Sequence, residues 1–430
     1  MRRRLACYRC GVVVLAFVFA GSDAFAAPLD GDGPYRDHAR WMWEVAPGQL
    51  VPSSPASSPR FPDDPDLVRF RVSVDRPTGP AVLRAWRPFL AVPPPDSGDT
   101  ADSGVTPDFR SLQLWLDGDY GIGADEAARY PGGDAGGHSI GDVEYGWEKD
   151  HEDLVATADA FAWGFESDSY EFHGTSVLGM LRASQNGFGV DGATAAPTVL
   201  VLSPWSDEAT YDVGAAVLGA KALLTAGDVL LIEQQGYVND NYCPVEVDPG
   251  VEAAIAKLTK RGIIVVEPGG NGAQDLDDAV WNGAFDRTVQ DSGAILVGGG
   301  ASPLSYWDTR SWTSGGSSFG SRLDMQGWYD SIVTATDGEY DGVFADLYYP
   351  GGDGKRAYTQ SFNGTSAASP MVAAVALVAE SVYAARTGAP LSPADLREAM
   401  VSTGLPQPAQ DEHVGPQPDL RLWLRTYARP

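Results

Sequence analysis

Four short, unbroken apolar runs constrain this chain more than any other feature: Thr198–Leu202 (TVLVL), Val229–Ile232 (VLLI), 263–266 (IIVV) and 294–297 (AILV). A strand with one wet face alternates apolar and polar residues. These do not, so both of their faces must be covered. Between them, residues 213–226 and 251–261 have helical composition. Strand, helix, strand in that order argues for an α/β fold, a mostly parallel sheet with helices on both faces. Hydrophobic residues make up 43% of the 430-residue chain, enough to fill such a core.

Upstream the texture differs. Arg2, Arg3 and Arg4 precede an apolar run at 11–21 (GVVVLAFVFAG), shorter than the ~20 residues a bilayer span needs. Ala24-Phe25-Ala26 then fits a small-x-small cleavage site. Residues 1–26 read as a signal peptide cut before Ala27, with an uncleaved anchor as the alternative, and no later stretch reads as long enough to span. Export is expected, with no stable membrane association after cleavage. Cys7 and Cys10 fall in that segment. Cys243 is left alone in the mature chain, with no intramolecular disulfide and no motif around it, so an inert, partly buried thiol is expected. Residues 27–110 are proline-rich, with a strand-like stretch at 67–74 (LVRFRVSV) and an expected helix at 81–89 between flexible linkers. Residues 111–430 form the large domain. With 58 acidic residues against 30 basic ones, the net charge of −28 leaves no electrostatic footprint for nucleic acid. That acidity reads as a solvated surface, with bound cations as the second reading.

Two segments carry chemistry. Asn363-Gly364-Thr365-Ser366-Ala367-Ala368-Ser369-Pro370 sets a serine between a Gly-Thr turn and a long small-residue helix. A helix start offers unpartnered N–H groups and a positive dipole, which suits a nucleophile whose attack creates an oxyanion. Pro370 reads as lying near the first turn, where proline removes no hydrogen bond. An ordinary serine N-cap before a buried helix is the alternative. Of the five histidines (His38, His138, His151, His173 and His413), His173 is the one followed by glycine and small residues, then by an apolar helix. A lone histidine there is more often structural; its partners decide.

His-Gly-Thr at 173–175, then Gly-Thr-Ser-Ala-Ala-Ser-Pro at 364–370, resembles the subtilisin-like serine proteases, over roughly 141–423. The resemblance implies a subtilisin-like three-layer fold with the site at the carboxyl ends of the strands. It also implies an endopeptidase working through an acyl-enzyme. On the matching positions Ser366 is the nucleophile and His173 the general base. Asn271, ending 262–271 (GIIVVEPGGN), is an oxyanion donor beside the Ser366 N–H. Residues 185–190 (QNGFGV) match the loop after the histidine helix, and 415–420 (GPQPDL) the closing segment. His151-Glu152-Asp153-Leu154 matches the segment that follows the acidic triad member. Seven residues before His151 stands Glu144, where the family has aspartate. Asp142, two residues earlier, would face the same side of a strand. Glu144 is favoured to orient His173, with Asp142 as the alternative.

After Val229–Ile232 the family has Ser-Leu-Gly. This chain has Glu233-Gln234-Gln235-Gly236, expected to narrow or repolarise the cleft, although substrate strand addition uses main-chain groups and stays open. Asp153 and Asn186, with the backbone carbonyls of Ser184, Phe188 and Val190, match positions that hold calcium in many subtilisins, with Gln113 as a further oxygen donor. A structural Ca²⁺ is the cofactor expected; the chemistry requires none. By the same resemblance 27–110 is a pro-domain that assists folding and inhibits until cleaved, a retained binding module being the alternative. Expected partners are a protein or peptide substrate and the chain's own pro-domain. Two other functions stay open. One is a catalytically inactive binding protein on this scaffold, suggested by Glu144 and the Glu-Gln-Gln edge. The other is an acyl hydrolase of small esters.

Overall fold

The computed structural model describes residues 104–428 except 118–120, 168–169, 208–209, 239–240, 305–315, 339–343 and 408–411, and four short strands upstream. Those strands, β1 Trp41–Val45, β2 Ser58–Pro59, β3 Arg69–Ser73 and β4 Val82–Trp86, form an antiparallel sheet in the order β2-β3-β1-β4. The stretch at 67–74 therefore holds a strand, but the helix expected at 81–89 is a strand too. Pro80 and Pro88 bracket it. The residue before a proline is driven out of the helical region, which leaves too few residues for a helix. Val82 and Trp86 instead pair with Val45 and Met42 of β1. The expected signal peptide, its cleavage site and the linkers lie outside the described residues.

Downstream come β5 Ser139–Val143, β6 Phe161–Trp163, helix α1 Glu171–Arg182, β7 Thr198–Leu202, a hairpin of β8 Trp205–Asp207 and β9 Thr210–Tyr211, α2 Val213–Leu223 and β10 Val229–Ile232. A second hairpin, β11 Gln235–Val238 and β12 Asn241–Pro244, precedes α3 Pro249–Thr259, β13 Ile264–Pro268, β14 Ile295–Gly300 and β15 Met325–Trp328. The antiparallel pair β16 Ile332–Thr336 and β17 Ala357–Phe362 leads into α4 Thr365–Thr387, α5 Pro393–Thr403 and α6 Leu420–Tyr427.

Seven strands form one parallel sheet in the order β15-β14-β13-β10-β5-β7-β6. Its period-two alternation sends residues to two separate cores. Ile140, Val229, Leu231, Ile264 and Val266 pack towards α1 and α4. Val143, Leu230, Ile232 and Val265 pack towards α2 and α3. That is the physical content of the unbroken apolar runs: neither face is wet. The helices start where local chemistry permits. Asp212, Asp248 and Ser392 accept N-cap bonds for α2, α3 and α5, and Pro249 and Pro393 hold first helical positions.

Helix α4 is the central element. It is long and apolar enough to cross a membrane, so the expectation that no later stretch reaches that length is corrected; 89% of its apolar window is buried against the sheet. Truncating a fully buried residue such as Leu377 to alanine costs about 2–5 kcal/mol. Pro370 also departs from expectation. It is the sixth residue of α4, so the carbonyl of Ser366 lacks the i→i−4 bond that any other residue would supply. The packed body begins a few residues before Ser111. Phe109 is buried with Val190, Val333 and Tyr358, and its N–H donates to the Gly189 carbonyl at 2.7 Å.

Candidate active site

The sheet order reverses between β5 and β10. From β5 the chain moves out to β7 and β6; from β10 it runs the other way through β13, β14 and β15. Crevices at such a reversal, outside the carboxyl ends of the strands, are where open α/β sheets bind ligands. Val143 and Ile232 lie opposite each other at these two strand ends. One residue further on stand Glu144 and Glu233, continuing the rows of Ile140–Asp142 and Val229–Leu231, so both carboxyls point towards α1 and α4. The backbone carries the strands on: the Glu233 N–H donates to the Val143 carbonyl at 3.0 Å, and the Glu144 N–H to that of Leu202 at 3.1 Å.

His173 is the third residue of α1. Gly174, beside it, lets the helix start abut the loop after β5; a Cβ there would lie 2.3 Å from the Gly146 carbonyl oxygen. His173 Nδ1 contacts Glu144 Oε1, and the other carboxylate oxygen accepts from the Tyr145 N–H at 2.7 Å. The ring rests edge-on against Phe362, 5.4 Å between centroids. Engaged through Nδ1, the imidazole keeps Nε2 as its free nitrogen. Asp142 is held elsewhere. Its Oδ2 accepts from Trp147 Nε1 at 2.9 Å, its Oδ1 has no partner, and burial followed by the nearby Glu144 pushes its carboxyl well above the usual range.

Ser366 is the second residue of α4, after the N-cap Gly364 at φ 93°. Its own N–H, in the first turn, has no intrahelical partner. A side chain at 364 would press on the Asn271 amide, 3.2 Å from its nitrogen. Asn271 is oriented from two sides. Its Oδ1 accepts from the Thr365 N–H at 2.9 Å and from the Thr365 hydroxyl at 3.1 Å, while its backbone N–H donates to Gln235 Oε1 at 2.9 Å. Nδ2 is thereby left for the cleft. A cleft of about 310 Å³ joins these groups, lined among others by Tyr145, His173, Glu233, Gln234, Asn271, Phe362 and Ser366.

The Glu-Gln-Gln edge does more than narrow this cleft. Gln234 turns inward: its Nε2 donates to the Glu233 carbonyl at 3.0 Å, and its Oε1 accepts from the Tyr211 hydroxyl at 2.6 Å. Glu233 is 3% exposed and lies against the Ser366 hydroxyl, yet neither of its oxygens has a hydrogen bond of normal geometry. Burial first, then Glu144 and Asp142, push its carboxyl well above the usual carboxylate range; Ser366 works weakly against them. Sequence reasoning placed Glu233 at the edge but missed its contact with the serine. The signal was present, since Glu144 and Glu233 each end an apolar strand.

Asp153 and Asn186 meet, but not as a cation site. Asn186 Nδ2 donates to Asp153 Oδ1 at 2.9 Å, while the Val190 N–H and the Tyr358 hydroxyl donate to Oδ2 at 2.8 and 2.9 Å. Asn186 Oδ1 accepts from the Phe188 N–H at 3.1 Å and the Ser184 carbonyl from the Asn186 N–H at 2.9 Å. Gln113 exchanges two bonds with the Asp191 backbone. The Asp153 carboxyl, the Asn186 amide oxygen and the Ser184 carbonyl thus already accept protein hydrogens, an arrangement that does not fit a calcium ion. Among the described residues no group of three or more His, Cys, Asp or Glu side chains is arranged to hold a metal. His151 is structural, buried with Nε2 on the Ala357 carbonyl at 2.9 Å and pushed down to about 4 by burial. Cys243 is wholly buried, and burial pushes its thiol up to about 12, too high for a reactive thiolate.

The subtilase family model matches residues 163–416, more than half of the chain; it spans His173, Asn271 and Ser366 and begins after Glu144. Among solved structures, a protease from Pseudoalteromonas arctica aligns with TM-score 0.53 and 17% identity, covering 76% of this chain and 100% of its own. A cold-adapted subtilisin-like serine proteinase gives TM-score 0.44 and 20% identity over 67% of this chain and 89% of its own. A prenylagaramide maturation protease gives 0.48 and 14% over 70% and 96%. No curated protein sequence matches. At such identities a structural likeness speaks for the fold alone, and only the first is near enough to do so. The family match and the parallel sheet that carries its motifs lead to one conclusion: this chain belongs to the subtilase family.

Proposed function

We propose that the protein is an exported serine endopeptidase in which Ser366 attacks the peptide carbonyl. The observation that carries this reading is the convergence of His173, held by Glu144 through Nδ1, with Ser366 and Asn271 around one cleft. As the Ser366 Oγ–C bond forms, the hydroxyl proton passes to His173 Nε2. The developing oxyanion takes hydrogen bonds from Asn271 Nδ2 and the Ser366 N–H. Collapse releases the amine with the proton from His173 and leaves an acyl-enzyme, which water opens by the same path reversed. Glu144 orients the imidazole and stabilises its cationic form, the role that aspartate usually plays.

Residues 1–26 are, on this reading, the export signal. Residues 27 to about 105, including the β1–β4 sheet, are a pro-domain that occupies the site until it is removed. The substrate is an extended peptide or unfolded protein. Hydrolysis of casein by the wild-type chain and by Ser366→Ala tests this. Cleavage present in the first and lost in the second supports it; cleavage unchanged by the substitution excludes it.

A further inference from the structure

Resting on the reading of Ser366 as nucleophile, we propose that Glu233 is a further catalytic residue whose carboxyl must stay protonated for turnover, its ionisation turning the nucleophile off.

The geometry comes first. Glu233 ends β10 with its side chain inside the fold, against the Ser366 hydroxyl and without a partner of normal hydrogen-bond geometry. The groups that face it come from four directions. From the end of β5 come Asp142 and Glu144, both acids. From α4 comes Ser366, and from α1, across the cleft, His173. From β13, the loop after it and β11 the cleft presents neutral Pro268, Asn271 and Gln235. Among the described residues, no lysine or arginine is one of the groups acting on Glu233. The Ser366 hydroxyl and the positive end of α4 favour its anion, and both are weaker influences than burial beside two carboxyls. Its raised proton affinity fits this setting.

The two protonation states act oppositely on Ser366. A protonated carboxyl can donate to the serine oxygen, which leaves the serine hydroxyl free to give its proton to His173 as the Oγ–C bond forms. An ionised carboxyl only accepts. Buried and unpartnered, it becomes the strongest acceptor within reach of the hydroxyl and draws that proton away from His173. It also sets a second negative charge beside the carbon where the oxyanion forms, in a site of low dielectric. The enzyme should therefore work on the acid side of the Glu233 ionisation and fail above it, whereas a base-limited protease simply rises to a plateau with pH.

The test is the rate of fluorophosphonate labelling of the exported enzyme, once its pro-domain has been removed, between about pH 5 and about pH 10. Labelling joins Ser366 Oγ to phosphorus, expels fluoride and passes the hydroxyl proton to His173, so it reports the nucleophile without needing a known substrate. The wild-type rate is expected to pass through a maximum and fall at least ~10-fold on the alkaline side. In Glu233→Gln the ratio of the alkaline rate to the acid rate should rise at least ~10-fold, because the amide cannot ionise. Glu233→Ser, which restores the residue the family carries, should do the same. A purely structural role would change the rate equally at every pH. A wild-type rate that climbs to a plateau, or variant profiles that keep the wild-type shape, overturns the proposal. Should neither variant fold, the wild-type profile alone decides. No wild-type labelling at any pH overturns the reading of Ser366 itself, and this inference with it.

Discussion

Two groups of buried acids lie on the same sheet and are treated in opposite ways. Under β13 and β15, Glu246 and Asp324 surround Arg322, which is 1% exposed. Arg322 Nε donates to Glu246 at 2.9 Å and Nη1 to Asp324 at 2.9 Å; Arg287 also pairs with Asp324, and Ser292 donates to Glu246 at 2.6 Å. Burial alone would lower the Arg322 guanidinium, but Glu246 and Asp324 hold it above its usual value. At the ends of β5 and β10, Asp142, Glu144 and Glu233 have no arginine partner among the described residues; the basic group that meets them there is His173. Fixed cations lock the charges of Glu246 and Asp324 in the first group, although Glu267 beside them is buried without a hydrogen-bond partner and is pushed well above the usual carboxylate range by burial and then by Glu246. In the second, charge can be balanced only by protons, and protons can move. Buried carboxyls whose proton affinity is raised in this way, as those of Asp142 and Glu233 are, mark sites of acid–base chemistry.

The largest break in this comparison should come from Glu144→Gln, which keeps the shape and loses the charge that orients His173. Turnover should fall ~10⁴-fold, while Asp142→Asn, whose partner is Trp147, should cost less than ~10-fold. A larger loss in Asp142→Asn would transfer the orienting role to Asp142. Arg322→Met should act on stability instead. It strands buried carboxylates and should lower the unfolding free energy in urea by about 3–5 kcal/mol; an unchanged urea midpoint would show that the first group needs no cation. Asn271→Ala should lower kcat by ~10²–10³ with KM little altered, since its Nδ2 meets only the oxyanion. A rise in KM alone would make Asn271 a ground-state binder. The smallest effect concerns calcium. Saturating Ca²⁺ or a chelator should move Tm by less than ~2 °C, because Asp153 and Asn186 already satisfy each other; a rise beyond ~5 °C would mean that the loop rearranges to bind.

What could be read from sequence followed the range over which each signal acts. The parallel sheet was legible because every strand advertises its own burial, and Val229–Ile232 needs no partner to look covered on both faces. Glu144 was found by spacing from His151, a local count. The failures all depended on distant contacts or on side-chain direction. Residues 82–86 form a strand because β1, some forty residues earlier, supplies the pairing. Pro370 removes a hydrogen bond because α4 starts at Thr365, a boundary the motif does not reveal. That Asp153 and Asn186 meet was legible from the loop match, whereas the hydrogen bond between them, set by the direction of the Asn186 amide, was not. Glu233 reached Ser366 only through the register of β10 on β5, which sets Ile232 opposite Val143.

The central claim is that Ser366 is an activated nucleophile, and its most direct test is the mass of the enzyme, freed of its pro-domain, after exposure to a fluorophosphonate, with the adduct mapped by peptide fragmentation. The account predicts one adduct per chain, on Ser366, lost in Ser366→Ala and strongly slowed in Glu144→Gln. Folded wild-type protein that forms no adduct, or forms it on another residue, would contradict it and leave a subtilase scaffold without its chemistry.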